Sequence, residues 1–328
     1  MIDTTVGQSP GLILESFRRE KEIVLSDILG GRGLYDTLVA RTAIRSFLDE
    51  PPHVMFNRAA DLLSAPTLGL SRAELLAFEP RQYSASEAYA IGSLAVRLGM
   101  TRLYVVPSGL IDVPNDEKTI IIEGGANRTS IYRRNHGLHA VNNNSPAQLF
   151  QLGSGRLIEQ VYPDGSPDPE YEVALSIAPR LRSRQGDPIS EYELNLATAF
   201  EQGWKIDETK TDAVYTKSCG RLEESYVLDR PGSADVVSIK PKPEAHGRAS
   251  LRTGIAAVEA TASMAGKHVA VATTSQYGPS VLLQTALELE RLGTTDTKIY
   301  SLADTDCKRT RIYATEIAVL LRQFAALD

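Results

Sequence analysis

The chain has 328 residues, 42% of them hydrophobic and 23% charged, a balance that suits one large folded domain or two modest ones and excludes a disordered chain. A net charge of -6 and a pI near 5.5 exclude the basic face of a general nucleic-acid binder, so no nucleic-acid partner is expected. The two cysteines, Cys219 and Cys307, are too few for a disulfide scaffold and suit a reducing compartment.

No apolar run approaches the length that spans a bilayer. The N-terminus, MIDTTVGQSPGLILESFRREK, lacks a basic stretch followed by a long apolar core and does not read as a secretory signal. These features predict a cytoplasmic protein without a membrane span.

Residues 1–100 read as a mainly helical N-terminal region. Leu12 to Leu29 mixes apolar and charged residues at helical spacing and stops at Gly30-Gly31, a natural helix end. Ser71-Arg72-Ala73-Glu74 and Ser84-Ala85-Ser86-Glu87 fit the capping box, in which hydroxyl and carboxylate satisfy free N–H groups reciprocally. Each marks a helix start, the second running to Leu98, and their glutamates read as caps rather than catalysts.

Residues 101–328 read as a Rossmann-like α/β domain, a mostly parallel sheet with flanking helices. Arg102–Val106 is a strand candidate. Strand TIIIE (Thr119–Glu123) leads through GGANRTS to a helix near Tyr132–Ala140, and strand AQLFQL (Ala147–Leu152) leads through GSGRLI to the polar loop YPDGSPDPE. A capped helix begins near Ser190, with Glu193 at the box position, and ends at Gly203. Further short strands are expected at Ala213–Thr216, Val236–Ile239, Val269–Thr273 and Lys298–Leu302. Helices are expected over Arg252–Ala265, Ser280–Leu292 and Lys308–Ala326. Strands separated by helices of this length imply parallel pairing and right-handed crossovers.

Four strand ends run into loops of Gly, Ser, Thr and Arg, and the carboxyl ends of parallel strands form one rim where ligands bind. Gly124-Gly125-Ala126-Asn127-Arg128 turns tightly and offers backbone N–H groups. The G-x-G-x-x-G dinucleotide spacing is absent, and the sequence names no cofactor. Gly153-Ser154-Gly155-Arg156 is a second such loop, read as ligand-binding; it lacks the G-x-S-x-G context of a nucleophile elbow. Ser250 is an N-cap candidate, with Arg252 and Thr253 at the helix start. Thr274 and Ser275 follow the strand at Val269–Thr273. Together these residues suit a small anionic or phosphorylated ligand. The carboxylates placed to serve catalysis are Glu123, Glu170 and Glu172. His136 and His139, Asp304-Thr305-Asp306 and Cys219 do not form a metal or thiol-catalytic pattern, and no metal site is assigned.

The order of these pieces resembles the SanA/ElyC/YdcF-like family of Rossmann-like proteins. Members open with a strand ending in a Gly-Gly loop, matched by Ile120–Arg128. A strand ending in Ser-Gly-Gly follows, matched in place by Leu152–Arg156, then an acidic residue opening a helix, for which Glu170 or Glu172 is available. Ser250–Thr253 occupies the position of a Thr-x-Glu-Asn motif, and Val271–Ser275 matches a strand ending in Val-Thr-Ser. The similarity covers about residues 119–302. After Thr253 the chain reads Gly254-Ile255-Ala256 rather than Glu-Asn, and Gln276-Tyr277 stands where the family carries His and Arg. The resemblance implies the fold, a link to envelope metabolism and, in one branch, S-adenosylmethionine binding.

The leading reading is a nucleotide or phosphorylated-metabolite binder, with phosphate-ester hydrolysis or transfer as the reaction if it is an enzyme. An alternative is a non-catalytic metabolite-sensing module whose N-terminal helices contact a protein partner. A third is an S-adenosylmethionine-binding protein, which calls for an acidic group at the end of the second strand to hold the ribose; Gly153-Ser154 stands there in the sequence.

Overall fold

The computed structural model describes residues 6–30, 32, 49–64, 83–101, 106–125, 129–141, 148–154, 189–217, 220–242, 250–303 and 310–327. A seven-stranded sheet forms the middle layer. Its strands are β1 (Lys118–Ile122), β2 (Gln148–Leu152), β3 (Lys205–Ile206), β4 (Leu222–Asp229), β5 (Val236–Pro241), β6 (His268–Thr273) and β7 (Lys298–Ala303). Their order is β3-β4-β5-β2-β1-β6-β7. The run β5-β2-β1-β6-β7 is parallel throughout, while β4 is antiparallel to β5 and β3 to β4.

The central strands are buried on both sides, which is why their sequences are almost uninterruptedly apolar. Ile121 pairs in register with Phe150 and Val271 and points to one face, with Val269 and Ile299. Ile120 and Ile122 point to the other, with Leu149, Ala270, Ala272 and Leu302. The first face is covered by α1 (Pro10–Leu29), α2 (Pro52–Ser64), α3 (Ala85–Arg97), α7 (Leu251–Ala262), α8 (Gly278–Arg291) and α9 (Thr310–Ala325). The second carries α4 (Thr129–His139) and α5 (Glu191–Glu201). The result is the expected mostly parallel, helix-flanked sheet preceded by helices.

The N-terminal helices share the core of the sheet's first face. The ring of Phe324 on α9 lies 6.3 Å from that of Phe17 and 5.9 Å from that of Phe56. Arg97 ties α3 to α1 through Glu20 at 3.3 Å and Asp27 at 2.5 Å. Ahead of α1, Gln8 exchanges both main-chain hydrogen bonds with Ile299 of β7. Among the described residues no helix is long and apolar enough to cross a membrane.

Two local expectations are corrected. Ala213–Thr216 is not a strand but part of α6 (Glu208–Lys217). The Asp207 carboxylate caps this helix by accepting from the Lys210 N–H at 3.1 Å, and Thr211 Oγ1 anchors it by accepting from the Val227 N–H at 3.0 Å. The cap and this docking outweigh the β-preference of Val, Tyr and Thr. Conversely, Leu222–Asp229 is a full strand where the sequence pattern predicts none. Of the candidate strand at Arg102–Val106, residues 102–105 lie outside the described residues, as does the Ser71–Glu74 capping box.

Candidate functional site

Because β2 and β5 lie on one side of β1 and β6 and β7 on the other, the strand order reverses beside β1, which is where open α/β sheets hold ligands. The β1–β6 side of this point is filled by the protein itself. Arg133, 3% exposed on α4, reaches Glu123 Oε2 at 3.1 Å and Thr274 Oγ1 at 3.2 Å, and it also donates to the Gly124 carbonyl. Its guanidinium lies 5.4 Å from the Tyr277 ring centroid, within cation–π range. Thr273 Oγ1 donates to Glu123 Oε2. Glu316 of α9 senses the same group: burial first, then the Glu123 charge, push its carboxyl up to about 8, with Arg133 opposing. Burial and then Glu316 push the Tyr277 phenol up to about 12.

On the β2–β5 side a cleft of about 130 Å³ is open among the described residues. Its floor is the ends of β1, β2 and β5 (Glu123, Gly124, Leu152, Gly153, Ser154, Pro241), and its walls are the first residues of α5 and α7, Glu191 and Ser250-Leu251. Ser190 and Ser250 are both N-caps with full capping boxes, partnered by Glu193 and Thr253. The earliest N–H groups of such helices have no intrahelical acceptor, so two partly positive helix ends meet at one cleft. Ser154 Oγ donates to Glu191 Oε2 at 2.6 Å, and the Tyr192 N–H donates to the Ser154 carbonyl at 3.1 Å.

The glycines of this rim serve close packing. A Cβ on Gly124 would stand 2.5 Å from the Leu152 carbonyl oxygen and 2.7 Å from Glu191 Oε1. One on Gly153 would stand 2.6 Å from the Tyr192 ring, and one on Gly125 would press on Arg133 and Thr129. They allow α5 and the β1 loop to close on the strand ends, and so shape the cleft.

The structure therefore brings Glu123, Gly124, Gly153 and Ser154 of the expected site together, with the cap Ser250 beside them. Gly125 and Thr274 pack on the Arg133 side, and Ser275 is fully buried there. Arg252 is turned from the cleft to Glu288 of α8 at 3.2 Å. Thr253 is occupied in the cap, accepting from the Ser250 N–H at 2.7 Å. Asn127, Arg128, Gly155, Arg156, Glu170, Glu172, Cys219, Asp304 and Asp306 lie outside the described residues. His136 is buried and His139 exposed. Among the described residues no three His, Cys, Asp or Glu side chains gather as a metal site.

One residue, Glu191, escaped the sequence reading, and Arg134, whose place on the helix after Gly124–Arg128 suggests anion binding, serves the fold instead. Glu191 is the acidic wall of the cleft; the signal available was its place as first residue of a capped helix. Arg134 lies fully buried beneath the rim, donating to Gln151 Oε1 at 2.8 Å, Gln202 Oε1 at 2.7 Å and the Asn195 carbonyl at 2.8 Å. Burial, then the charge of Arg230, lowers its guanidinium to about 9. It knits α4, β2 and α5 rather than facing a ligand. Comparison with protein-family models, curated proteins and solved structures finds no match for this chain.

Proposed function

We propose that the cleft at the ends of β1, β2 and β5 binds a nucleotide or another small phosphorylated metabolite. The observation that carries this reading is the meeting of two capped helix N-termini with three parallel strand ends around one opening. Helix N-termini of this kind favour phosphate. The sequence adds Arg128 and Arg156 in the loops that follow β1 and β2. If a reaction follows binding, transfer or hydrolysis at the phosphate ester fits best, with Glu123 or Glu191 as the carboxylate within the cleft. Kinship with the SanA/ElyC/YdcF-like family is part of the same proposal and rests on the order of the strand-end loops.

The test is a thermal-shift screen against nucleotides, sugar phosphates and S-adenosylmethionine. A ligand at a hundred times its dissociation constant adds about 2.7 kcal/mol of stability. The expected result is a raised midpoint that Arg128→Ala and Arg156→Ala together abolish. A shift that survives both substitutions places the ligand elsewhere and sinks the reading.

A second reading, a sensing module that engages a protein through its N-terminal helices, is favoured by α3. Tyr89 and Val96, two turns apart on that helix, are 78% and 54% exposed and offer a partner two apolar contacts.

A further inference from the structure

The described wall of the cleft is richer in carboxylates and hydroxyls than a site for phosphate alone requires. Arg133 is committed to Glu123, Gly124 and Thr274, and Arg252 to Glu288. The charge of Glu123 is answered by Arg133 and by the Thr273 hydroxyl. Glu191 differs: its hydrogen-bond partner is the neutral Ser154 hydroxyl, and among the described residues no cation pairs with it. An ionised carboxylate accepts hydrogen bonds at about four lone-pair positions, so Glu191 has capacity that Ser154 does not use. A phosphate monoester, largely a dianion at neutral pH, offers it little donor capacity and repels it. A sugar offers two adjacent O–H donors.

Two further observations point the same way. Glu191 is held in place, because the Gly124 backbone lies against its carboxylate with no room for a side chain. The cleft's 130 Å³ is well below the roughly 300–1,000 Å³ of sites that enclose a drug-sized ligand, and suits a single sugar ring.

We propose that Glu191, seated by Ser154, is a hydroxyl-recognition subsite that takes the vicinal diol of a ribosyl or similar sugar phosphate, with the phosphate directed towards the α7 N-terminus. This rests on the phosphorylated-ligand reading above and names its substrate class. The carboxylate comes from the helix after β2 rather than from the strand end, but it occupies the place where a dinucleotide fold reads a ribose.

The experiment is calorimetric titration of the full chain with ribonucleoside monophosphates, their 2′-deoxy and 2′,3′-dideoxy counterparts, ribose 5-phosphate and inorganic phosphate. The parent protein is expected to favour ribo over dideoxy compounds by about tenfold or more, the worth of hydrogen bonds to a charged group. Glu191→Gln, a same-shape change with fold checked by its denaturation midpoint, is expected to erase that preference and leave phosphate affinity equal or higher. Ser154→Ala is expected to weaken the preference in part. Binding of the phosphates without discrimination between ribo and dideoxy forms overturns the diol subsite alone. No binding by any phosphorylated compound overturns the phosphorylated-ligand reading, and the subsite with it.

Discussion

The two sides of β1 are built from the same kind of loop and end differently. On the β6 side the hydroxyls of Thr273 and Thr274, the Glu123 carboxylate and the Gly124 carbonyl all find partners in one another or in Arg133. On the β2 side Glu191 keeps acceptor capacity and borders an opening. A strand-end loop rich in Gly, Ser and Thr is thus not a site by composition. It becomes one where the protein leaves its polar groups unsaturated. The crevice that the strand order creates is half closed from within, and the half that stays open is the half to test.

The largest effect expected from this contrast is on the closed side. Arg133→Ala removes a donor from the Gly124 carbonyl and Thr274, and leaves the partly buried Glu123 carboxylate with the Thr273 hydroxyl but without its cation. Breaking such a pair by removing one partner costs about 3 kcal/mol, read as a lower urea midpoint. A loss below about 1 kcal/mol would show that the plug is not structural.

Glu316 tests the same cluster through pH. In the unfolded chain its carboxyl releases its proton near 4.5, whereas the folded protein holds it to about 8. Between those values the native state binds more protons, so this group lowers stability as pH rises and then ceases to do so. Glu316→Gln never charges. Its stability should match the parent's most closely in acid and gain on it by at most about 1.4 kcal/mol for each unit of pH up to about 8. A difference that stays flat from acid to pH 8 would remove Glu316 from the cluster.

How much of this was legible follows from what each signal depends on. The five parallel strands were readable because two-sided burial writes itself as an apolar run, as in Ile120-Ile121-Ile122 and Val269–Ala272. The helix starts at Ser84, Ser190 and Ser250 were readable because a capping box is local. β4 was not: a register shift between Leu222 and Glu224 breaks its alternation, and its burial is irregular. Val214-Tyr215-Thr216 read as a strand because the deciding contact, Thr211 with Val227, joins residues sixteen apart. Glu191 stayed hidden for the same reason. Its partner Ser154 is thirty-seven residues away, and the neighbouring Ser190–Glu193 box absorbed the attention of any local reading. Arg252 and Thr253 sit at the right end of the right strand, but Glu288 and the cap claim them, which no spacing reveals.

Capping offers an intermediate effect on the open side. Ser190→Ala removes the side-chain acceptor for the Glu193 N–H and should cost about 1 kcal/mol. It also loosens the first turn that carries Glu191, so ligand affinity should fall with stability.

The smallest stability change is expected at Glu191 itself, and that is what makes it informative. The side chain is partly exposed at the cleft. Its charge at the α5 N-terminus contributes about 0.3–1 kcal/mol through the helix dipole, and its bond from Ser154 survives in Glu191→Gln, since the amide carbonyl still accepts. The variant should therefore unfold within about 0.5–1 kcal/mol of the parent in urea. Arg133→Ala, by contrast, should be costly to the fold. If Glu191→Gln proved as destabilising as Arg133→Ala, Glu191 would belong to the internally satisfied framework, and the distinction between the closed and open sides of β1 would collapse. A near-silent midpoint marks a carboxylate that the fold can spare, which is the property expected of a group kept for a ligand.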